Sequence, residues 1–357
     1  MPPRTAAFVA RPTVRVDGQE YATVRELLTG MDMLESEGGL SRLQLRLTNF
    51  KSRQRGRATY AFEDNQVLKL GAAIAVYAGR EAEPQEIFRG LITGLEGQYS
   101  EGPPELVVHA EDAFQRARLA RRTKTHTRLT IHELAEQVAR DCTLTPVIDG
   151  FSDQIGPQVQ LNESDLAFLR RLLVRYGGDL QVVGDEMHVS ARSAVQRGTV
   201  DLEMHEGLRR VRVLADLAHQ VSEVTVTGWD AAQGRRITVT HQTAATGPGS
   251  GSTGATLLDN SPLGRRSHHV GHLAVRDDAE ARAVATAVSD RRARRFISLE
   301  ATNAGEPQIR VGTHVRITGL GDRFDNTYYV VEARHRYVVP SPGYVTDFRA
   351  ECAHWGV

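Results

Sequence analysis

Residues 158–190 constrain the fold of this chain more than any other stretch. The polar residues 162–165 offer short side chains that can cap a helix start, and acids there suit the positive end of the helix dipole. Leucines follow at helical spacing with arginines on the opposite face, and residues 177–178 are glycines that permit a helix stop. Apolar alternation then resumes around a turn at Gly184. The stretch predicts an amphipathic helix followed by a β-hairpin.

Length and charge limit the class of protein. The 357 residues suffice for two or three domains with a sizeable core. Lysine plus arginine and aspartate plus glutamate both total 44, so the formal net charge is zero. We therefore expect no bulk attraction to acidic membranes and no sequence-specific nucleic acid partner.

Cysteine usage and hydropathy indicate where the chain is made. Cys142 and Cys352 lie far apart without metal-ligand spacing, which favours free thiols in a reduced compartment. Residues 1–16 lack the apolar core of a signal peptide, and no apolar run approaches the roughly 18 residues of a membrane helix. We expect a soluble chain, synthesised in the cytoplasm, with no membrane insertion.

Hydrophobic periodicity divides the chain into regions. Period-two alternation in residues 1–112 predicts a first small antiparallel β domain, and residues 113–198 form an α/β insert of helices and a hairpin. Alternation returns in residues 199–242 and 296–357, a second β domain that residues 243–295 interrupt. The predicted fold class is mainly β, with two small antiparallel β-barrel domains and an α/β insert between them.

Four shorter segments carry predictions of their own. Residues 131–140 and 277–295 are predicted helices, the latter with acids at its start and arginines at its end. Residues 67–69 are a predicted strand. The run TAATGPGSGSTGAT at residues 243–256 is too rich in small polar residues to bury a core, so it is predicted to be a flexible loop or linker.

An internal repeat is visible between residues 70–92 and residues 311–333. Both segments contain a glycine, a strand, a loop and a second strand. Any two β-hairpins look alike at this level, so the pattern alone leaves duplication and coincidence both open.

Three segments resemble the phage late control D family of tail hub proteins and the hub portion of VgrG spike proteins. One is QVQLNESDLAFLRRLLVRYGGDLQVVGDEMHVS, another is the triplet Gly-Trp-Asp after a strand, and the third contains YYVVEARH and GYVTDF near the C-terminus. The residues that match the family motifs are Glu163, Ser164, Asp165, Leu166, Phe168, Leu169, Tyr176, Gly177, Gly228, Trp229, Asp230, Gly319, Tyr329, Val330, His335 and the pair Gly343 and Tyr344.

The resemblance implies a non-enzymatic structural protein with two barrels of the tail-hub type. Three chains would form a ring of pseudo-sixfold symmetry, the central hub of a contractile tail baseplate. Such a homotrimer adapts the hexameric tail tube to the trimeric spike in a phage, a tailocin or an extracellular contractile injection system. No cofactor is implied.

The resemblance also implies partners. These are a trimeric spike, tail-tube or tube-initiator proteins, and baseplate wedge proteins. Because VgrG proteins continue into a needle where this sequence stops at Val357, we expect the spike to be a separate chain that lies against the C-terminal region. The hub would be assembled at the baseplate centre of a virion or injection-system particle.

The densest histidine cluster is His268, His269 and His272. Neutral imidazoles three or four residues apart on one face can bind a transition metal. No carboxylate or cysteine lies nearby in the sequence, so we expect solvated or interface histidines rather than a metal site.

Residues 247–254 superficially match two ligand motifs, Gly-x-Gly-x-x-Gly and Gly-x-Ser-x-Gly. The first needs a preceding strand and a following helix, and the second needs a strand-to-helix turn. A Gly/Ser/Thr run offers neither context, so we expect no dinucleotide site and no hydrolase nucleophile here.

Two alternative classes of function are an enzyme and a binding module. A peptidoglycan hydrolase would need a carboxylate pair, but Glu111-Asp112 and Asp185-Glu186 are sequence neighbours whose side chains diverge. Aromatic residues make up only 6% of the chain, which argues against a sugar cleft. A carbohydrate-binding β module is the third possibility, and sugar-dependent thermal shifts without homotrimers would favour it.

Two basic runs, residues 116–126 and 291–295, could contact phosphate, an acidic partner or a neighbouring subunit. The simpler interpretations are a solvated helix end for the first run and complementation of a helix C-terminus for the second.

Overall fold

The computed structural model describes residues 11–52, 58–63, 65–80, 82–244 and 246–356. Strands account for 47% of the chain and helices for 18%, and most of the strand pairs are antiparallel. The predicted fold class, mainly β with an α/β insert, is confirmed.

The first β unit, called unit 1, packs its strands around one apolar core. Along residues 42–48, Leu43, Leu45 and Leu47 point into this core and the residues between them point outward, as period-two alternation predicts. Its elements are β1 (Thr13–Val16), β2 (Gln19–Glu20), α1 (Ala22–Leu27), β3 (Leu28–Ser36), β4 (Arg42–Thr48), β5 (Lys51–Ser52), β6 (Ala58–Thr59), β7 (Ala73–Arg80), β8 (Glu83–Gln98) and β9 (Glu105–Glu111).

The α/β insert has its own core, formed by its helices and a three-stranded sheet. Its elements are α2 (Gln115–Leu119), β10 (Arg121–His126), α3 (Ile131–Asp141), β11 (Thr145–Ile148), β12 (Gln158–Ser164), α4 (Asp165–Tyr176), β13 (Gly178–Val183), β14 (Glu186–Ala191) and a 3₁₀ turn at Arg192–Ala194.

Helix α4 confirms the unit predicted from residues 158–190. The Ser164 side chain accepts a hydrogen bond from the Ala167 N–H at the N-cap. Gly177 ends the helix in the left-handed conformation with φ 70°. Strands β13 and β14 then pair as the expected hairpin.

Residues 199–356 contain a second β unit, unit 2, and a smaller sheet inserted into it. The elements are β15 (Thr199–Glu203), β16 (Leu208–Ala215), β17 (Glu223–Asp230), β18 (Arg235–His241), β19 (Ser252–Thr253), α5 (Gly254–Asp259), β20 (Ser267–Val270), α6 (Asp278–Arg294), β21 (Ile297–Asn303), β22 (His314–Thr318), β23 (Asn326–Val338), β24 (Gly343–Cys352) and β25 (His354–Trp355).

The inserted sheet differs from the expected arrangement. Strands β17 and β18 were predicted within the second barrel, but they pair with β20 in a separate three-stranded sheet. Helix α6 packs on this sheet and closes a core of its own. The predicted domain boundaries at residues 112, 198, 242 and 295 stay predictions.

Unit 2 repeats unit 1 strand for strand. In chain order, β1, β3, β4, β7, β8 and β9 correspond to β15, β16, β21, β22, β23 and β24. In both units the second strand pairs with the third, and the pairing then continues through the sixth, fifth and fourth strands in the same order. The one difference is that β1 and β7 are antiparallel whereas β15 and β22 are parallel. The predicted repeat is therefore part of a larger duplication.

Irregularities in the strand ladders align the two units residue by residue. Two corresponding strand pairs shift register in both units, and β-bulges of this kind mark specific positions in a sheet. These shifts fall at Leu28/Gly30 and Leu208/Arg210, and at Ile92/Gly94 and Val330/Glu332. A third shift, at Val76/Tyr77 between β7 and β8, occurs in unit 1 but not between β22 and β23.

Two glycines at corresponding positions of the two units make corresponding backbone hydrogen bonds. Gly71 and Gly312 have φ angles of 82° and 87°, which suit glycine. The Gly71 N–H donates to the Ile92 carbonyl at 2.8 Å, and the Gly312 N–H donates to the Val330 carbonyl at 3.0 Å. The duplication therefore preserves backbone detail as well as topology.

Two local predictions are wrong. Residues 67–69 form bends rather than a strand, and Leu68 is buried under the unit 1 core, so its apolar pattern reflects loop packing. Residues 246–256 are held against the C-terminal segment rather than free: β19 pairs with β25, and Asn326 Nδ2 donates to the Ser250 carbonyl at 2.9 Å. Residue 245 lies outside the described residues.

Candidate assembly surfaces

The family-motif residues of helix α4 hold the insert together. Leu166, Phe168 and Leu169 are buried in its core, and Tyr176 donates its hydroxyl to Glu280 Oε1 at 2.8 Å on helix α6. Burial and this carboxylate raise the pKa of Tyr176. These residues therefore join two parts of the fold.

The polar start of α4 is bound by arginines. Glu163 forms an ion pair with Arg171 at 2.8 Å, and Asp165 with Arg122 at 3.2 Å. Hydrogen bonding to Arg171 lowers the pKa of Glu163. The motif therefore serves the local structure of the insert.

The Gly-Trp-Asp motif forms the last three residues of β17, directly before the turn to β18. A Cβ atom on Gly228 would lie 2.4 Å from Val275 Cγ2, so only glycine fits. Asp230 is buried and accepts hydrogen bonds from the N–H groups of Ala232 and Gln233, each at 3.0 Å. Trp229 remains 60% exposed and is available to a partner.

Two motif residues of β23 lie within unit 2 and at its boundary with the insert. Tyr329 is buried with the Arg192 guanidinium 3.2 Å from its ring centre. Val330 is in the core of unit 2. Strand β23 therefore connects this core to the 3₁₀ turn that ends the insert.

The remaining C-terminal motif residues are buried or are glycines at positive φ. His335 is buried with its Nδ1 atom 2.7 Å from the Tyr344 hydroxyl, and burial followed by nearby Arg310 lowers its pKa to about 3. Tyr344 itself is buried in the core of unit 1, and burial raises its pKa. Gly319 lies in the bend after β22 and Gly343 begins β24, both at positive φ. The motif residues do not converge on one cleft.

Two histidines of the predicted cluster contact different partners. His269 Nε2 lies 2.8 Å from the Thr227 hydroxyl, while His268 contacts the Arg292 guanidinium at 3.2 Å. Burial and the positive charge of Arg292 lower the pKa of His268. Within the described part of the chain, no group of three His, Cys, Asp or Glu side chains could hold a metal ion.

A basic cavity opens beside this histidine. Its volume is about 560 Å³, and its lining includes Leu214, Asp216 and the C-terminal end of α6. The charged and titratable side chains that line it, besides Asp216, are His219, His268, His272, Arg291, Arg292 and Arg295.

Arg291 is the unmatched cation of the basic cavity. Arg294 and Arg295 pair with Glu351, and Arg292 donates to the His219 carbonyl. Arg291 has no hydrogen bond or ion pair to any described residue, and burial together with neighbouring arginines lowers its pKa. An anion placed in this cavity would relieve that repulsion.

The candidate carboxylate pairs are engaged locally. Glu111 binds Arg118 through Nε at 3.0 Å, and Glu186 lies 2.8 Å from His188 in the β13–β14 hairpin. Asp112 is buried and accepts the Phe114 N–H at 3.0 Å, and burial raises its pKa to about 6. These contacts are all local, and buried Asp112 differs from the solvated turn acid that its sequence context suggests.

The two basic runs are more integrated than the expected solvated faces. Residues 121–126 form strand β10, which pairs with β12. In the second run, Arg294 links Glu37 of unit 1 to Glu351 of unit 2 at 3.2 Å each. Burial alone would raise the pKa of Glu37, but Arg192 and Arg294 hold it below its usual value.

A strand junction joins the two units. Strand β3 of unit 1 pairs antiparallel with β23 of unit 2 from Ser36↔Glu332 to Gly30↔Val338. Met33 and His335, which lie opposite each other, are fully buried. Arg334 Nε donates to Asp32 Oδ1 at 2.8 Å across the junction.

Two further strand edges have no partner among the described residues. Strand β16 bridges to Met204 at its first residue, Leu208, and from Arg210 onward it pairs with β21 alone. Strand β8 beyond Ile92 pairs with β9 alone. Large apolar side chains are exposed at both edges: Leu214 on β16 is 51% exposed and Tyr99, just after β8, is 69% exposed. The family motifs did not point to these edges. A residue-by-residue alignment of the two repeated units could have done so.

No helix in the described ranges is long and apolar enough to cross a membrane. The family model described as the Alg8 N-terminal domain matches residues 40–338. This description differs from the late control D family expected from the sequence. None of the curated proteins matches the chain.

Solved structures share the fold at low sequence identity. The 43 kDa tail protein of prophage MuSo2 from Shewanella oneidensis has a TM-score of 0.69 at 13% identity, over 95% of this chain and 97% of that protein. The tail protein from Neisseria meningitidis MC58 has a TM-score of 0.66 at 13% identity, over 95% of each chain.

A third structure comes from a secretion system. The E. coli c3393 protein, described as a component of the type VI secretion system with structural similarity to the T4 bacteriophage tail proteins gp27 and gp5, has a TM-score of 0.61. Its identity is 13% over 96% of this chain and 78% of that protein. All three comparisons establish the fold of this chain.

Proposed function

The chain belongs to the Alg8 N-terminal domain family, and from its fold, which it shares with tail proteins, we propose that it is a structural protein of a contractile tail or injection system. More specifically, it is the central baseplate hub, of the type found in the late control D family. It acts as a homotrimer without enzymatic activity.

The observation that carries this proposal is the duplication within one chain. Two units share six strands in the same order, and two of their corresponding strand pairs have bulges at matching positions. Three chains therefore supply six similar units arranged with only threefold symmetry. Such a ring matches a hexameric tube on one face and a trimeric spike on the other.

The names of the similar structures support the same role. Two of them are tail proteins, and one is a type VI secretion component likened to two phage tail proteins. We infer that the partners of this chain are a trimeric spike, tail-tube or tube-initiator proteins, and baseplate wedge proteins. The chain would then be carried in a virion or injection-system particle.

The C-terminal region is the part we expect to meet the spike. Strand β24 lies between β21 and β23, so deleting residues from Gly343 onward would remove a central strand and unfold unit 2. A point substitution of an exposed residue is a better probe. Arg349 on β24 is a suitable site because it lies in this region and its side chain is 57% exposed.

Electron microscopy of the purified chain tests the proposal. The expected two-dimensional averages contain closed rings with threefold symmetry and six lobes. Single particles with two lobes at every concentration would contradict the hub. A thermal shift on adding sugar, in the absence of rings, would instead favour a carbohydrate-binding module.

A further inference from the structure

We propose that neighbouring copies of this chain join by pairing β8 of one copy with β16 of the next, in the register that β23 and β3 adopt inside each copy. This inference rests on the proposed hub, because it describes how the protomers of that hub meet. It assigns a partner, a second copy, to the two unpaired strand edges.

The internal junction provides the template. Under the duplication, β3 corresponds to β16 and β23 corresponds to β8. The outer edge of β3 is occupied by β23, whereas the outer edge of β16 has no strand in the described part of the chain. One chain therefore contains one complete junction, between β3 and β23, and the two strands, β16 and β8, that could form a second junction with neighbouring copies. Unpaired edges of this kind favour pairing with another chain.

The bulges define the register of the second junction. Leu28 corresponds to Leu208, and Gly94 corresponds to Glu332. Transferring the internal pairs Ser36↔Glu332 and Gly30↔Val338 gives the expected intermolecular pairs Asp216↔Gly94 and Arg210↔Ser100. The pairs between them are Ala215↔Leu95, Leu214↔Glu96, Val213↔Gly97, Arg212↔Gln98 and Val211↔Tyr99.

Charge supports this register. The internal junction carries an ion pair between Arg334 of β23 and Asp32 of β3. Arg334 corresponds to Glu96 of β8, and Asp32 corresponds to Arg212 of β16. The charge on each strand is therefore reversed, but the two strands still carry opposite charges. Two strand edges aligned in this way would again bring opposite charges to diagonal positions.

Exposure supports it too. Tyr99 is 69% exposed, whereas its counterpart Tyr337 in the internal junction is only 7% exposed. Leu214 is 51% exposed, and its counterpart Leu34 is half-buried. The apolar side chains that are covered in the internal junction are therefore exposed at the unpaired edges of β8 and β16.

The basic cavity borders the same edge. Leu214 lines this cavity, and residues directly opposite in a strand pair share one face of the sheet. In the proposed register, Glu96 of the partner subunit lies opposite Leu214. Its carboxylate would thus approach the side of the cavity that holds the unmatched Arg291.

The geometry also predicts closure. Each copy would use β8 for one neighbour and β16 for the other, which is a head-to-tail contact that forms rings when the rotation closes. No strand edge of this kind would remain unpaired in a closed ring. An open chain would leave two such edges at its ends.

Disulfide cross-linking tests the register. Gln98→Cys with Arg212→Cys in one chain places thiols at directly opposed, exposed positions, while both native cysteines are buried. Mild oxidation should give covalent trimers on a non-reducing gel. The control, Gln98→Cys with Arg210→Cys, is two residues out of register, about 7–8 Å apart, and should cross-link much less.

Charge reversal tests the ion pair. Glu96→Arg and Arg212→Glu should each weaken trimer formation by about tenfold, and the double variant should recover most of it. Arg140→Glu, an exposed reversal on helix α3, should leave assembly unchanged. Equal melting temperatures of the variants under monomeric conditions would exclude misfolding.

The outcomes separate the two proposals. Trimers that form without a cross-link between the thiols introduced at Gln98 and Arg212, or with equal cross-linking in the control, would overturn the strand pairing and leave the hub intact. A chain that remains monomeric at every concentration would overturn both. Trimers with a register-specific cross-link support both.

Discussion

Arg334 of β23 donates through Nε to Oδ1 of Asp32 on β3 at 2.8 Å, and this contact bridges 302 positions of the sequence. It lies on the exposed side of the junction between the units, while Met33 and His335 fill the buried side. The junction therefore combines an apolar interior with a charged rim, and it makes the two units one continuous sheet.

Truncating the buried side of this junction should destabilise the whole chain. Met33→Ala removes a fully buried side chain, and we expect a loss of about 2–5 kcal/mol in the free energy of unfolding. Denaturant titration measures this. Val159→Ala, at an exposed position, is the control and should change stability by less than about 0.5 kcal/mol. Equal effects would mean that the junction packs loosely.

The N-cap of helix α4 should contribute measurably. Ser164→Ala removes the acceptor for the Ala167 N–H, and we expect a cost of about 0.5–2 kcal/mol. Ser164→Asp should retain most of the stability because aspartate also caps well. Thermal unfolding of the three proteins gives the comparison, and an unchanged Ser164→Ala midpoint would contradict the role of the cap.

The Gly-rich segment should be sensitive to a single methyl group. A Cβ atom on Gly251 would lie 1.9 Å from the Trp355 carbonyl oxygen, so Gly251→Ala should displace the C-terminal strand β25 and lower the melting temperature. Gly234→Ala is the matched control, because its φ is also positive but no atom lies within 4 Å of the added Cβ. Similar melting temperatures for both variants would favour the flexible loop predicted from composition.

His335 should make stability depend on pH near 6. Burial and Arg310 lower its folded-state pKa to about 3 from an ordinary 6.5. The unfolded chain therefore binds a proton that the folded chain does not, and stability falls as pH drops from about 6.5 towards 3. His335→Gln should flatten the slope of unfolding free energy between pH 6.5 and 5.5 relative to the unmodified chain. Asp112, whose pKa is raised to about 6, titrates in the same window but is present in both proteins. An unchanged slope would show that the pKa of His335 in the folded chain is close to its value in the unfolded chain.

Sequence patterns predicted the parts of the fold that local physics determines. The cap at Ser164 and the stop at Gly177 were visible because helix ends need particular side chains. The alternation in β4 was visible because one face of the strand is buried. These signals depend on residues close in sequence.

The rest depends on distant contacts. The run at residues 246–256 has a composition typical of linkers, yet Trp355 and Asn326 hold it in place. Strands β17 and β18 alternate like barrel strands, and only their pairing with β20 separates them from unit 2. The proposed contact between β8 and β16 could not be predicted either, because Glu96 and Arg212 are recognised as a possible ion pair only when the two units are aligned.

The native mass of the purified chain across a range of concentrations tests the central claim most directly. A species near 118 kDa, about three times the 39.3 kDa of one chain, is expected for the closed homotrimer. A mass of 39.3 kDa at every concentration would contradict the homotrimeric hub.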